Sequence, residues 1–398
     1  MIGRPEIVQR SLEWRLREDV VEKDYVLGWV LWGIGSDLVL GNGWVFKGGT
    51  CLKKCFVETY RFSEDLDFTV LEHGPLEPDV LLPVLREMLD MVEQESGIGL
   101  TGRAPVVRLR PDGRSAEGRI YYRGPRGAPG EARVKLDLTY DEIVVEAPVR
   151  RPIAHAYDDK LPADATVGCY AFVEVFAEKL RALGQRTRPR DLYDVVNLYR
   201  RADLHDERDL VMTVLERKCA HKDVAVPTLS AVTSDEKAAD LRADWHAMLA
   251  HQLPELPPVE DFIDALDNVF GWLQGAPVEL LAAVPVGREQ IDSGWVAPPT
   301  ITRWPDGAPL EQIRFAGANH LLVELTYQGT TRLIEPYALR RSKAGSLLVY
   351  AIKAESGEVR AYRADRIQAV RITTTSFRPR YAIELSVALP VRTGRRRR

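Results

Sequence analysis

Hydrophobic and polar residues change their period several times along this chain, and each change predicts an element. Residues 4–34 place Val20, Val21, Tyr25, Leu27, Val30, Leu31 and Ile34 at helical spacing, with Glu22, Lys23 and Asp24 read as a charged surface face. Residues 44–46 form a short apolar run, Gly48 and Gly49 permit a tight turn, and Thr50 suits the cap of a helix reaching to about Tyr60. Over 63–70 the period drops to two, so Asp65 and Asp67 share one face of a strand while Leu66 and Phe68 take the other. Helical spacing returns over 78–94 through Val80, Leu81, Val84, Leu85, Met88 and Val92. Strands are then expected at 106–110, 119–123 and 134–140, and on the last of them Lys135, Asp137 and Thr139 oppose the apolar Val134, Leu136 and Leu138.

The second half reads first as helices and then as strands. Phe172, Val175, Phe176 and Leu183 give residues 172–186 an apolar stripe on which Lys179 also falls. A lysine there must snorkel or meet an anion, for which Glu174, Glu178 or a phosphate are the candidates. Pro189 opens a further helix with Leu192, Val195, Val196 and Tyr199 inward and with Asp191 and Asp194 near its start, where carboxylates complement the helix dipole. Helices at 206–219, 234–252 and 259–273 follow, and prolines 277, 285, 298, 299 and 305 mark an extended connection. Short strands at 321–327, 332–336, 346–353, 359–362 and 369–372, with turns at Gly329, Gly345 and Gly357, read as a small barrel. The expected division is 1–275, a linker at 276–305, and 306–398.

Charge sharpens this division. Residues 301–398 hold 18 Lys and Arg against 8 Asp and Glu, a net +10, so a chain of net charge −4 carries −14 in residues 1–300. The C-terminal part therefore suits a polyanion, with docking onto the chain's own acidic half as the alternative. No apolar run reaches the roughly 18 residues needed to span a bilayer, which predicts a soluble, cytoplasmic protein without membrane contact. Cys51, Cys55, Cys169 and Cys219 lack zinc-ligand spacing, and Cys51 and Cys55, four apart on a helix, are expected to pack.

The chemistry concentrates in residues 44–70. A helix start preceded by glycines attracts phosphate, and paired carboxylates on a rigid strand hold a divalent ion, so one ligand satisfies both: a metal-bound nucleoside triphosphate. Two octahedral ions need a third carboxylate, and Asp137 supplies the candidate.

Lys47-Gly48-Gly49-Thr50 with Lys54, followed by Arg61-Phe62-Ser63-Glu64-Asp65-Leu66-Asp67-Phe68, resembles the first motif of the polymerase-beta-like nucleotidyltransferases, in their AbiEii/AbiGii toxin branch. Glu178-Lys179-Leu180 and Arg190-Asp191-Leu192-Tyr193-Asp194 resemble the later motif of that branch, and Glu22-Lys23-Asp24-Tyr25 its N-terminal helix. The resemblance implies an α/β nucleotidyltransferase core with a helical cap, Mg2+ on Asp65, Asp67 and Asp137, and NTP contacts from Lys47, Gly48, Gly49, Thr50, Lys54 and Lys179. It also implies a nucleotide- or metal-positioning role for Asp191 or Asp194. A toxin of a toxin-antitoxin or phage-defence system is expected, with a possible antitoxin partner and transfer of NMP to an RNA 3′ end, foremost tRNA. Transfer to a protein or small molecule is the alternative. Residues 334–337 and 357–367 resemble WYL domains, Sm/SH3-like barrels, with Ser346-Leu347-Leu348-Val349-Tyr350 standing near the place of the name-giving triplet. That resemblance assigns Tyr337, Arg360, Arg363 and Arg366 to nucleic acid or a ligand, and it admits a sensing regulator with an inert transferase half as a further alternative.

Overall fold

The computed structural model describes residues 1–56, 61–287, 289–298, 304 and 308–385, and the chain divides into two units. The first comprises Met1–Arg181 with Thr213–Val226, and the second Ala182–Met212 with Pro227–Arg398. The expected end of the Thr50 helix at Tyr60 and the arginine tail from 395 lie outside the described residues.

The first unit is built on a seven-stranded mixed sheet. Its strands are β1 (Trp44–Lys47), β2 (Asp65–Val70), β3 (Val106–Leu109), β4 (Ser115–Tyr122), β5 (Ala132–Thr139), β6 (Val149–Pro152) and β7 (Thr166–Cys169), in the order β3-β4-β5-β2-β1-β7-β6. The most apolar short run, β1, lies inside the sheet with every residue buried. It pairs antiparallel with β2 and parallel with β7, and β2 pairs parallel with β5. The periodicity missed β6 and β7, four residues each, in which arginines, a glycine and a threonine break the apolar alternation.

Residues 4–34 form two helices rather than one: α1 (Arg4–Trp14) and α2 (Glu18–Ser36). Arg15 adopts φ 53 and donates its N–H to the Ser11 carbonyl, the left-handed closure that ends a helix. A short α3 (Leu38–Gly43), capped by the Asp37 carboxylate, leads into β1, and α4 (Gly48–Cys51) leaves it, continuing as a π-helical turn over Leu52–Phe56. Helix α5 (Pro78–Ser96) buries Leu81, Leu85, Met88 and Val92 of the expected face together with Leu89, whereas Val80, at the first turn, is exposed and Val84 only half-buried. The charged face of α2 is not at the surface: Glu22 and Asp24 are buried. Asp24 Oδ2 accepts from Lys54 Nζ at 2.8 Å, and Glu22 accepts from the backbone and side chain of Arg126. Burial alone would raise the Asp24 pKa, but Lys54 and Lys53 hold it below the usual aspartate value.

Helix α6 (Phe172–Arg186) passes from the first unit into the second, where α7 (Pro189–Tyr199) follows, while α8 (Arg208–His221) returns to the first. In the second unit α10 (Asp235–Leu249) and α11 (Val259–Leu273) pack against α7, with Tyr193 stacked on Phe262 at 5.3 Å, and the short α9 (Leu229–Val232) packs on α11. A helix the pattern did not announce, α12 (Leu310–Ala318), packs on the second sheet. Its strands β8 (Leu321–Tyr327), β9 (Thr330–Arg341), β10 (Leu347–Lys353), β11 (Val359–Arg363) and β12 (Ile367–Ser376) run antiparallel in the order β11-β10-β9-β8-β12. The expected strands are all present, but among the described residues β11 and β12 do not pair, so the sheet does not close into the expected barrel.

The Asp24 to Lys54 pair fastens α2 to the turn after α4, and removing one partner leaves a buried charge alone. Lys54→Met is expected to cost about 3–5 kcal/mol in denaturant unfolding, and Lys54→Met with Asp24→Leu to recover most of it. A single variant as stable as the parent would mean that the pair does not hold these elements together.

Candidate active site

Strand pairing aligns the candidate residues in rows across the first sheet. Lys47 on β1 stands opposite Asp67 on β2, Asp67 opposite Asp137 on β5, and Asp137 opposite Glu117 on β4. One row away, Asp65 stands opposite Lys135. Neighbouring strands are about 4.8 Å apart, so residues in a row share a face and act on one another directly. Leu66, Phe68, Leu136 and Leu138 alternate with them and are buried in the core, which fixes the register and hence the carboxylates.

The turn after β1 is shaped around Asp67. Gly48 has φ +80, and a Cβ added there would run into the Asp67 carboxylate. Thr50 Oγ1 donates to the Asp65 carbonyl at 2.5 Å, so its hydroxyl ties the helix start to β2. A Cβ on Gly49 would run into the Arg61 guanidinium. Lys54 directs its ammonium to the Asp24 carbonyl and carboxylate and to the Ala154 carbonyl, at 2.9, 2.8 and 3.4 Å. Those contacts occupy its three donors and make it a structural anchor in place of the NTP contact expected for it.

Lys47 points into a group of buried charges. Its Nζ lies 3.6 Å from Glu178 and 3.9 Å from Glu142. Glu142 also meets Arg181 at 3.0 Å and Lys222 at 3.5 Å, and Lys218 meets Glu174 at 2.9 Å with both side chains fully buried. Burial would raise the Glu178 pKa, but Lys47, Lys218, Arg181 and Lys179 outweigh it and take it down to about 2. Asp67 goes the other way: burial, with Asp137 and Asp65 adding like charge, raises it from 3.8 to about 6 against the pull of Lys47 and Lys179. Burial also raises Asp65, with Asp137 adding to the effect and Lys135 opposing it. Lys179, buried on α6, is thus a cation felt by both Asp67 and Glu178.

Asp137 accepts from Arg110 Nη2 at 2.7 Å and from Lys135 Nζ at 2.6 Å. The alternation along β5 placed Lys135 on this face, but no pattern in the sequence pointed to Arg110 after β3 and Glu142 after β5, or to Arg181 on α6 and Lys218 on α8. Oxygen donors at Asp65, Asp67 and Asp137 suit a hard divalent cation. Their oxygens do not all lie within 4.8 Å of one another; among the described residues, the three side chains whose donor atoms do are Cys51, Cys55 and Cys169.

The remaining candidates lie in the second unit. Asp191 is buried on α7 and gripped by Arg186 through bonds of 2.7 and 3.0 Å, and Asp194 is buried beside it. Tyr337 is buried on β9, donating to Glu335 at 2.7 Å and accepting from the Arg380 N–H at 3.1 Å. Arg360 pairs with Glu358 at 2.6 Å, Arg363 forks onto Asp365, and Arg366 is exposed on the turn after β11.

Residues 29–268 match the model of the nucleotidyl transferase AbiEii toxin family of type IV toxin-antitoxin systems, which is more than half of the chain. The chain belongs to the AbiEii family. It is accordingly a nucleotidyltransferase that uses an NTP, in a family that employs divalent metal and implies a cognate antitoxin. Residues 309–372 match the WYL domain. Among solved structures the chain is similar to MenT4, a nucleotidyltransferase toxin from Mycobacterium tuberculosis, at 22% identity and a TM-score of 0.45, over 70% of this chain and 91% of that one. It is also similar to proteasome accessory factor B/C of Arthrobacter aurescens, at 13% identity and a TM-score of 0.18, over 92% and 74%. No curated protein matches. No described helix is long and apolar enough to cross a membrane.

Two outcomes follow from this AbiEii site. Gly48→Ala places a methyl group against Asp67 at a φ that alanine resists, so nucleotidyl transfer should fall at least tenfold while circular dichroism stays native. Asp67, raised to about 6 from an unfolded 3.8, binds its proton more tightly when folded, so its contribution to stability declines as pH rises from about 4 to 6. Asp67→Asn should therefore be more stable than the parent above pH 6, by about 1–3 kcal/mol without metal, and should lose that advantage below pH 4. Urea unfolding of both proteins across that range reads the difference.

Proposed function

We propose that Asp65, Asp67 and Asp137 hold Mg2+ and that the chain transfers NMP from an NTP to the 3′-hydroxyl of an RNA, with the acceptor end of tRNA as the leading substrate. The single row joining Lys47, Asp67 and Asp137 across three strands carries this reading, because it aligns a cation and two carboxylates beside the Gly48 turn. When bound, Mg2+ would supply Lewis acidity at the triphosphate and lower the pKa of the attacking hydroxyl. The chain's own part is positioning and charge. Gly48 lets the turn backbone lie directly against the Asp67 carboxylate, and Lys179 supplies a cation for the pyrophosphate that leaves as the new bond from the 3′-oxygen to the α-phosphorus forms and the old phosphoanhydride bond breaks. The hydroxyl proton passes to solvent or to a carboxylate of the row. Asp67, with a pKa of about 6, is ionised for metal at neutral pH and loses that capacity as the medium acidifies.

The cationic excess beyond residue 300 supports a polyanionic acceptor, since Lys and Arg that neutralise phosphates bind RNA in a salt-dependent way. Incubating the full chain with each labelled NTP, Mg2+ and total RNA tests the reading. Label is expected on tRNA-sized RNA at its 3′ end, and Asp67→Ala or Asp137→Ala should reduce it by about 10²–10⁴-fold in a folded protein. Label appearing on protein, or equal labelling by the folded Asp67→Ala variant, would overturn the RNA acceptor or the metal assignment respectively.

A further inference from the structure

Three of the four cysteines meet inside the first unit although the sequence scatters them. Cys51 ends α4, Cys55 lies one turn on in the π-helical stretch, and Cys169 ends β7, opposite Phe46 of β1. All three are buried, and their sulfurs lie within 4.8 Å of one another. A metal bound to each sulfur at about 2.3 Å spaces the sulfurs about 4 Å apart, so the cluster is near the separation that a shared ion requires.

A second feature converges on the same place. Arg151 on β6 donates from Nε to the Cys55 carbonyl at 3.2 Å and lies over the Phe56 ring, while its Nη2 is buried without a hydrogen-bond partner. Burial pushes the Cys51 and Cys55 thiols well above their ordinary value while hydrogen bonds with them draw Cys169 down, and against that background the Arg151 charge adds a smaller pull toward thiolate at Cys55 and Cys169. A guanidinium left with a buried donor is costly unless negative charge forms beside it.

We propose that Cys51, Cys55 and Cys169 form a trithiolate site for a soft divalent cation of the Zn2+ or Cd2+ kind, with Arg151 offsetting its residual charge. Three thiols and one M2+ give a complex of net charge −1 and release three protons to solvent, and no electron is transferred. The guanidinium makes the ensemble neutral, which a dry interior favours. Soft thiolate donors also separate this site from the carboxylates: Mg2+ belongs to oxygen ligands and a thiophilic ion to these sulfurs. The alternative of a disulfide between Cys51 and Cys55 is disfavoured, since helical residues four apart hold their Cβ atoms about 5–6 Å apart, beyond the roughly 4 Å of a disulfide.

The location gives the site a consequence. Cys51 directly follows Thr50, and Cys169 pairs with the strand that carries Lys47, so an ion here would brace the Gly48 turn from behind.

Cadmium titration of the purified, reduced full chain tests this, because Cd2+ bound to thiolates absorbs in the ultraviolet. One equivalent should bind, with absorbance scaling to three thiolates, an affinity rising with pH, and a higher melting temperature. Cys169→Ser should lose most of that absorbance and the thermal shift, Cys55→Ser likewise, and Cys219→Ser should behave as the parent. Arg151→Gln should weaken Cd2+ binding at least tenfold while leaving the stoichiometry at one. Failure of the parent to bind Cd2+, or binding that Cys169→Ser and Cys55→Ser leave unchanged in folded protein, would reduce the three residues to packed apolar side chains. Zn2+ competition against the Cd2+ signal then reads whether the borderline ion enters the same site.

Discussion

Everything in the first unit answers to the cost of keeping carboxylates half-buried on neighbouring strands. Asp67 has Asp137 in the same row and Asp65 two residues away, and burial with this mutual repulsion carries its pKa to about 6. Such a group is costly to ionise unless a cation is supplied, so the arrangement is poised for whatever divalent ion and phosphate arrive together. The fold gives the carboxylates little freedom to escape. Leu66, Phe68, Leu136 and Leu138 lock the register from the other face, Gly48 brings backbone against Asp67, and Thr50 ties the following helix to the strand itself.

Behind this row stands a set of ion pairs whose contribution to stability is modest at best. Lys47, Lys218, Arg181 and Lys222 meet Glu142, Glu174 and Glu178 in surroundings where desolvation consumes most of the Coulombic gain. Apolar side chains of the same volume would serve the core at least as well. What apolar residues could not supply is direction: Lys47 is held by glutamates on one side and attracted by Asp67 on the other. A cation steered this way enters the site with its position already set, which is where preorganised electrostatics act in phosphoryl chemistry.

Legibility followed the range of the interactions. The turn, the Asp65 to Asp67 alternation and the Asp137 strand were readable because period-two patterning and a glycine pair are local signals. The family resemblance then joined them. What local pattern could not report was the identity of partners brought in by topology. Lys54 looked like a phosphate ligand until α2 brought Asp24 to it, and the charged face of α2 looked solvated for the same reason. Strand β7 escaped notice because four residues carry too little periodicity, and with it went the meeting of Cys169 with Cys51 and Cys55, 114 residues distant from the nearer one. In the second unit the strands were legible from their turns, and Tyr337, Arg360 and Arg363 are engaged by acidic residues only two positions away, pairs that period-two spacing already puts on one side of the chain and that went unnoticed.

The cations around the carboxylates are not equivalent, and the difference decides how metal can enter. Arg110 and Lys135 hold Asp137, but their side chains are 50% and 35% exposed, and pairs of that kind are worth about 1 kcal/mol or less. Water can replace either contact at small cost, so the proposed role of Asp137 as a metal ligand would require breaking only weak, exposed pairs. Lys47 is only 11% exposed and has Glu178, Glu142 and Asp67 around it, so its charge stays where it is whether or not metal is present. Lys54 is further removed still, its donors satisfied within the protein. A site in which the outer cations exchange while the inner one persists can trade arginine and lysine for metal at Asp137 without repacking the core. On the proposed metal assignment the carboxylate row would gather by side-chain movement alone, on a backbone whose register the apolar face has already fixed.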